Sequence, residues 1–143
     1  MAIETTTTET IDQISRAVIE RGFNKGDLDG LEAFVAHDIV EHQDGATSGI
    51  DGLRALITEL RTAFPDLHLE IQDTATSGDT AWFRIRSTGT NDGPIWGRPA
   101  TGRSIDITVI DVMRVVDGRM VEHWGVADRL AMLKQIGAMG GGR

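Results

Sequence analysis

Residues 104–128 read SIDITVIDVMRVVDGRMVEHWGVAD, and this stretch decides the fold. Two runs rich in β-branched residues stand on either side of the pair Asp117-Gly118. An Asp-Gly pair between two such runs is the strongest short-range signal for a β-hairpin. The stretch therefore predicts two antiparallel strands, at 104–116 and 119–128.

The register of this hairpin predicts a candidate site, because side chains alternate between the two faces of a strand. A two-residue turn places Val116 opposite Arg119 and Asp111 opposite Trp124. One face then carries Ile107, Val109, Asp111, Trp124, Val126 and Asp128. The other face carries Thr108, Ile110, Val112, Arg114, Val121 and His123. Two carboxyl groups among apolar side chains can accept and donate protons, which indicates general acid–base chemistry.

The segments before the hairpin supply more strands and, further upstream, helices. Apolar residues alternate with polar ones from Leu67 to Ile71, and 80–90 is a further strand. Between 50 and 64 apolar residues recur every three or four positions, which predicts a helix that Pro65 ends. Two shorter helices are predicted before it, one after Thr10 and one after Asp27.

The remaining segments complete the prediction. Residues 39–42 are expected to form a short strand, 91–102 a loop and 129–136 a last helix. Helices followed by an antiparallel meander indicate an α+β fold in one domain spanning 1–143. Residues 1–9 and 138–143 are expected to be disordered tails.

Composition excludes several classes of protein. The 143 residues include 22 acidic and 14 basic ones, a net charge of −8, whereas nucleic-acid binders usually carry a basic surface. There are no cysteines, which excludes disulfides and thiolate metal sites. No apolar run approaches the ~20 residues of a membrane helix, and the polar N-terminus lacks the pattern of a signal peptide. We expect a cytoplasmic protein that binds neither membranes nor nucleic acids.

Asp128 and His42 are the predicted catalytic residues. Asp128 ends a strand and precedes a helix, so its alternative role is only to cap that helix. His42 ends the 39–42 strand beside the sheet, where it is either a structural histidine or a pocket residue. Asp111 is expected in the pocket, with pairing to Arg84 as the alternative.

Apolar residues complete the predicted substrate site. Trp124 and Val126 share the face of Asp111, and Phe34 lies on the apolar face of the second predicted helix. Trp124 is alternatively a core residue. Trp96 lies in the glycine-rich loop and is either a lid over the pocket or a dimer contact.

No metal or cofactor site is predicted. The pairs His37-Asp38 and Glu41-His42 offer ligand atoms but lack a recognised metal-binding spacing. No phosphate-binding glycine motif follows a strand, so a bound nucleotide is not expected.

Five segments in order resemble motifs of the SnoaL-like polyketide cyclase (ester cyclase) family. They are residues 23–28 (FNKGDL), 39–42 (IVEH), 52–54 with 63–67 (GLR and AFPDL), 101–103 (TGR) and 117–124 (DGRMVEHW) followed by Asp128. The resemblance spans about residues 10–137. It implies the cone-shaped fold of the nuclear-transport-factor-2-like superfamily, with helices packed on a curved antiparallel sheet around an apolar pocket.

The same resemblance implies cofactor-free chemistry on a hydrophobic, carbonyl-rich small molecule, in a homo-oligomer that is commonly a dimer. In such cyclases an aspartate near the end of the last strand is the acid–base group of an intramolecular aldol ring closure, and Asp128 matches that position. The alternatives are a non-catalytic ligand-binding or assembly domain and a related hydroxylase or hydrolase. Steroid-isomerase chemistry is disfavoured because the chain has no tyrosine for the oxyanion hole.

Overall fold

The computed structural model describes residues 8–139 and contains three α-helices and five β-strands within them. Helix α1 (Thr8–Ala17) runs into a π-helical turn (Val18–Asn24), and a short 3-10 helix (Asp29–Ala33) precedes β1 (Val35–Glu41). The remaining elements are α2 (Ile50–Ala63), β2 (His68–Ser77), β3 (Thr80–Thr90), β4 (Ser104–Val116), β5 (Arg119–Ala127) and α3 (Arg129–Gln135). Most of the two predicted tails lies outside the described residues, although α1 begins at Thr8.

The five strands form one sheet in the order β1-β5-β4-β3-β2. The three pairs within β2 to β5 are antiparallel, as predicted, and the α+β class is confirmed. The expectation of a wholly antiparallel sheet is wrong, because β1 pairs with β5 in parallel. The short 39–42 pattern predicts a strand but not its partner, which lies about 80 residues further along the chain.

A β-bulge at Val121 changes the predicted register of the β4–β5 hairpin. Val116 faces Arg119, as predicted. The next pairs are Val115 with Met120 and then Arg114 with Glu122, so Val121 has no partner on β4. Such a bulge inserts one residue into one strand and reverses the facing of every residue beyond it.

The predicted pairing of Asp111 with Trp124 is therefore wrong. Asp111 faces Gly125, and Val112 faces Trp124. The bulge brings His123 to the inner face beside Asp111, and moves Trp124 and Val126 to the outer face. The prediction that Asp111 shares a face with Trp124 and Val126 fails for this reason alone.

One apolar core lies between the inner face of the sheet and the helices. Helices α1 and α2 bury their apolar stripes there, through residues such as Ile11, Leu53 and Ile57. The inner face of β3 contributes Ala81, Phe83 and Ile85, which alternate with exposed residues. The helices leave one end of this layer open. Within residues 8–139, no helix has the length and apolar character needed to cross a membrane.

Candidate active site

An apolar cavity opens between α2 and the inner face of the sheet, at the end where α3 begins. Its empty space is about 760 Å³, including the open mouth. The walls are mainly apolar, with Phe23, Leu56, Leu60, Phe64, Leu67, Leu69, Ile105, Ile107, Val109, Ala127 and Met132. The strands and helices place these side chains because their alternation and helical spacing turn them inward. A cavity with walls of this composition suits a hydrophobic small molecule.

A buried carboxylate, Asp111, reaches this cavity from the inner face of β4. Its oxygen Oδ1 lies 3.1 Å from Nε2 of His123 on β5. The other ring nitrogen of His123, Nδ1, lies 2.7 Å from Oε1 of Glu41 on β1. All three side chains are at most 4% exposed. Three neighbouring strands thus hold a carboxylate–imidazole–carboxylate row, with only Asp111 lining the cavity.

His123 is the cation of this row. Burial alone lowers the pKa of His123, but the hydrogen bonds and charges of Asp111 and Glu41 outweigh it and raise the pKa to about 10. At neutral pH the imidazole is therefore protonated and donates from both nitrogens. The imidazolium donates a hydrogen bond to each of the two buried carboxyl groups and orients Asp111 towards the cavity.

Two further residues shape the space around Asp111. The backbone N–H of Gln43 donates to Glu41 Oε1 at 2.9 Å, and the Gln43 side chain lines the cavity. A Cβ atom at Gly125 would lie 2.3 Å from Gln43 Oε1 and 3.0 Å from Asp111 Oδ1. A side chain at this position would displace the end of the Gln43 side chain and crowd Asp111, so glycine lets both polar groups lie close to β5.

The mouth of the cavity is formed by three segments that meet at Arg129. Its guanidinium lies 4.9 Å from the centre of the Trp96 ring, and its Nη1 lies 3.2 Å from Oδ2 of Asp44. Trp96 has a φ of 50°, in the left-handed region that a residue with a side chain seldom adopts. The two roles predicted for Trp96 are a lid over the pocket and a dimer contact. Its place in the cavity lining fits the first.

The structure separates the predicted site residues into two groups. Asp111 and Trp96 line the cavity. The alternative pairing of Asp111 with Arg84 is wrong, because Arg84 pairs with Asp73 at 2.6 Å. Asp128 is exposed and caps α3, where its Oδ1 accepts a hydrogen bond from the backbone of Ala131 at 3.0 Å.

The other predicted residues lie away from the cavity lining. His42 stacks on Trp124 with ring centres 4.7 Å apart, and its Nε2 lies 2.7 Å from Glu122 Oε2. Val126 is 68% exposed on the outer face. Phe34 packs at the edge of the core beneath Arg21. The bulge turns Trp124 and Val126 to the outer face of the sheet. Phe34 follows a short 3-10 helix, as its C-cap, and is not part of the longer helix that was predicted.

The predicted site residues do not include Glu41, His123, Gln43 or Arg129. One signal was available: Gly125 interrupts a strand, and an isolated strand glycine indicates a bulge or a close approach of side chains. Both occur here, the bulge at Val121 and the approach of Gln43 and Asp111 to Gly125. Within residues 8–139, no three His, Asp or Glu side chains are grouped so that they could hold a metal ion.

Comparison with known proteins agrees with this architecture. The sequence profile of the family described as SnoaL-like polyketide cyclase matches residues 13–136. The chain is 29% identical over 133 residues to the aklanonic acid methyl ester cyclase DauD of a Streptomyces species (strain C5), covering 89% of this chain and 81% of DauD.

Two solved structures extend the likeness to three dimensions. TsrD from Streptomyces laurentii superposes with a TM-score of 0.84 at 29% identity, covering 93% of this chain and 98% of TsrD. IdmH from Streptomyces antibioticus superposes with a TM-score of 0.78 at 32% identity, covering 89% of this chain and 98% of IdmH. With its fold, its apolar cavity and a family match across most of its length, the chain belongs to the SnoaL-like polyketide cyclase family.

Proposed function

We propose that the protein closes a ring in a carbonyl-rich polyketide by an intramolecular aldol reaction, without a cofactor, and that Asp111 is its acid–base group. The observation that carries the proposal is the placement of Asp111. It is a buried carboxylate that faces an apolar cavity and is held by a buried imidazolium. Asp44 and Glu59 also line the cavity, but both side chains lie at its exposed mouth.

The proposed reaction needs one proton to move twice. Asp111 removes a proton from carbon beside a carbonyl group, and the resulting enolate carbon attacks a second carbonyl carbon of the same molecule. A carbon–carbon bond forms, the C=O π bond becomes an alkoxide, and Asp111 returns the proton to that oxygen. The product is an isomer of the substrate, so no other reactant is required. The hydrogen bond from His123 Nε2 holds the Asp111 carboxyl group in position before the first transfer.

This proposal moves the acid–base role from Asp128 to Asp111. A group that transfers protons must come within hydrogen-bonding reach of the reacting atoms. Asp111 borders the cavity, whereas the carboxylate of Asp128 is engaged by the first turn of α3. The alternative of a non-catalytic binding domain accounts for a row that joins three strands, but it gives no role to the carboxylate that borders the cavity.

The first prediction tests the reaction with the ester that gives the relatives their name. Purified protein incubated with aklanonic acid methyl ester is expected to convert it to an isomer of unchanged mass. Liquid chromatography with mass spectrometry measures this conversion, and a no-protein incubation measures spontaneous closure. Conversion no faster than that control would contradict the proposal for this ester.

The second prediction concerns a homodimer through the outer face of the sheet. Trp82, Ile110 and Val126 are each at least 39% exposed there, on adjacent strands. Exposed apolar patches of this kind mark interaction surfaces.

Val126→Glu should shift the dimer to a monomer in sedimentation at micromolar concentration, because the substitution buries a charge in the interface. Val116→Glu, at the far end of β4, is the matched control and should stay dimeric. A monomeric wild type, or a dimeric Val126→Glu protein, contradicts this prediction.

A further inference from the structure

Ser87 is a buried polar residue that the proposed reaction does not use. It lies on the inner face of β3, where its neighbours in the alternation are Ile85 and Gly89. The residue is 5% exposed and lines the cavity. Every other residue of β3 with this facing is apolar or glycine, so the hydroxyl is an exception to the pattern.

The hydroxyl of Ser87 has no hydrogen-bond partner within residues 8–139. In the same part of the chain, no fully enclosed side-chain nitrogen or oxygen lacks a partner. Asn91, for example, is buried and its side chain bonds Gly93 and Thr101. Buried hydroxyl groups are normally paired because desolvation without a partner costs free energy. The Ser87 hydroxyl instead has its free donor and acceptor at the cavity.

The register of the sheet places Ser87 far from Asp111. Ser87 pairs with Ile107, whereas Asp111 pairs with Phe83. Four residues along β3 separate the two rows, which is about 13 Å at the rise of an antiparallel strand. Between the rows lies the apolar pair of Ile85 with Val109, and Val109 lines the cavity. Asp111 and Ser87 therefore lie at opposite ends of an apolar stretch of the cavity wall.

We propose that the Ser87 hydroxyl binds a hydroxyl or carbonyl oxygen at the end of the substrate remote from the reacting carbons. Ser87 then selects elongated molecules that carry oxygen at both ends, and it sets which carbonyl group reaches Asp111. This inference rests on the proposed function, since it assumes that the reacting end lies at Asp111. A serine suits this role because its hydroxyl both donates and accepts, so that it can pair with either kind of oxygen.

Two aromatic ketones that differ by one hydroxyl test the proposal by binding alone. They are 6-acetyl-2-naphthol, with oxygen at both ends, and 2-acetylnaphthalene, which lacks the remote hydroxyl. The wild type is expected to bind the naphthol about three- to tenfold more tightly, the effect of one net hydrogen bond. Isothermal titration calorimetry gives both dissociation constants.

Variants assign the preference to one hydroxyl group. Ser87→Ala should bind the two ketones equally, and Ser87→Thr, which keeps a hydroxyl, should retain the preference. Ser104→Ala, an exposed serine at the start of β4, is the matched control and should behave as wild type. A wild type that binds neither ketone or shows no preference overturns the inference, as does a preference that survives in Ser87→Ala. Because the assay needs no turnover, a failed ring closure with this binding pattern intact counts against the proposed function and not against Ser87.

Discussion

Replacing Asp111 with Asn is expected to lower the rate of ring closure by at least about a hundredfold, since acid–base assistance typically contributes 10²–10⁴-fold. The amide has nearly the size of the carboxylate and no titrating proton. Its Oδ1 can still accept the hydrogen bond from His123, so we expect the variant to fold. Single-turnover rates on aklanonic acid methyl ester measure the effect, with circular dichroism to verify the fold.

The same substitution at Asp128 is the matched control. Asn is as good a helix N-cap as Asp, so Asp128→Asn should keep the capping bond to Ala131 and the stability of the protein. Because Asp128 does not line the cavity, we expect a rate close to that of the wild type. The opposite result, a hundredfold loss in Asp128→Asn and full activity in Asp111→Asn, would return the catalytic role to Asp128 and refute the proposed placement.

His123→Leu is expected to lower the free energy of unfolding by about 3–5 kcal/mol at neutral pH, the usual cost of removing one partner of a buried ionic group. Leucine fills much of the space of the imidazole but leaves Glu41 and Asp111 without their cation. Urea denaturation followed by circular dichroism gives the difference. A change below about 1 kcal/mol would show that the buried row does not hold three strands together.

The pH dependence of unfolding tests the charge on His123. The pKa of His123 is about 10 in the folded protein and ordinarily about 6.5, so folding favours its protonated form. This stabilisation is complete below about pH 6.5 and is lost as the pH rises towards 10, with a slope of up to about 1.4 kcal/mol per pH unit.

In His123→Leu, the decrease in the free energy of unfolding between about pH 6.5 and pH 10 should be absent. The composition of the chain makes this pH range easy to interpret. The chain has no cysteine and no tyrosine, two residue types that would otherwise titrate there. Wild-type stability that is constant between pH 7 and 10, or a variant that keeps the slope, would mean that His123 is neutral.

Local patterns were sufficient for most of the fold. The Asp117-Gly118 turn, the alternation in 80–90 and the helical spacing in 50–64 each depend on neighbouring residues, and each predicted element is present. Strand boundaries at Thr80, Thr90, Ser104 and Val116 also follow from turns that are local in sequence. Most of the family motifs lie at such turns and helix ends, so the resemblance depends on the same local patterns.

The site depended on contacts between distant strands. By itself, the sequence determined an α+β fold with carboxylates on the last two strands, since alternation and turn chemistry act over a few residues. Only the tertiary structure decided which carboxylate faces the cavity. One unpaired residue, Val121, reverses the facing of β5, and the parallel pairing of β1 brings Glu41 to His123 across about 80 residues. A bulge and a long-range pairing are set by the packing of the whole sheet, because neither changes the local pattern of apolar and polar residues.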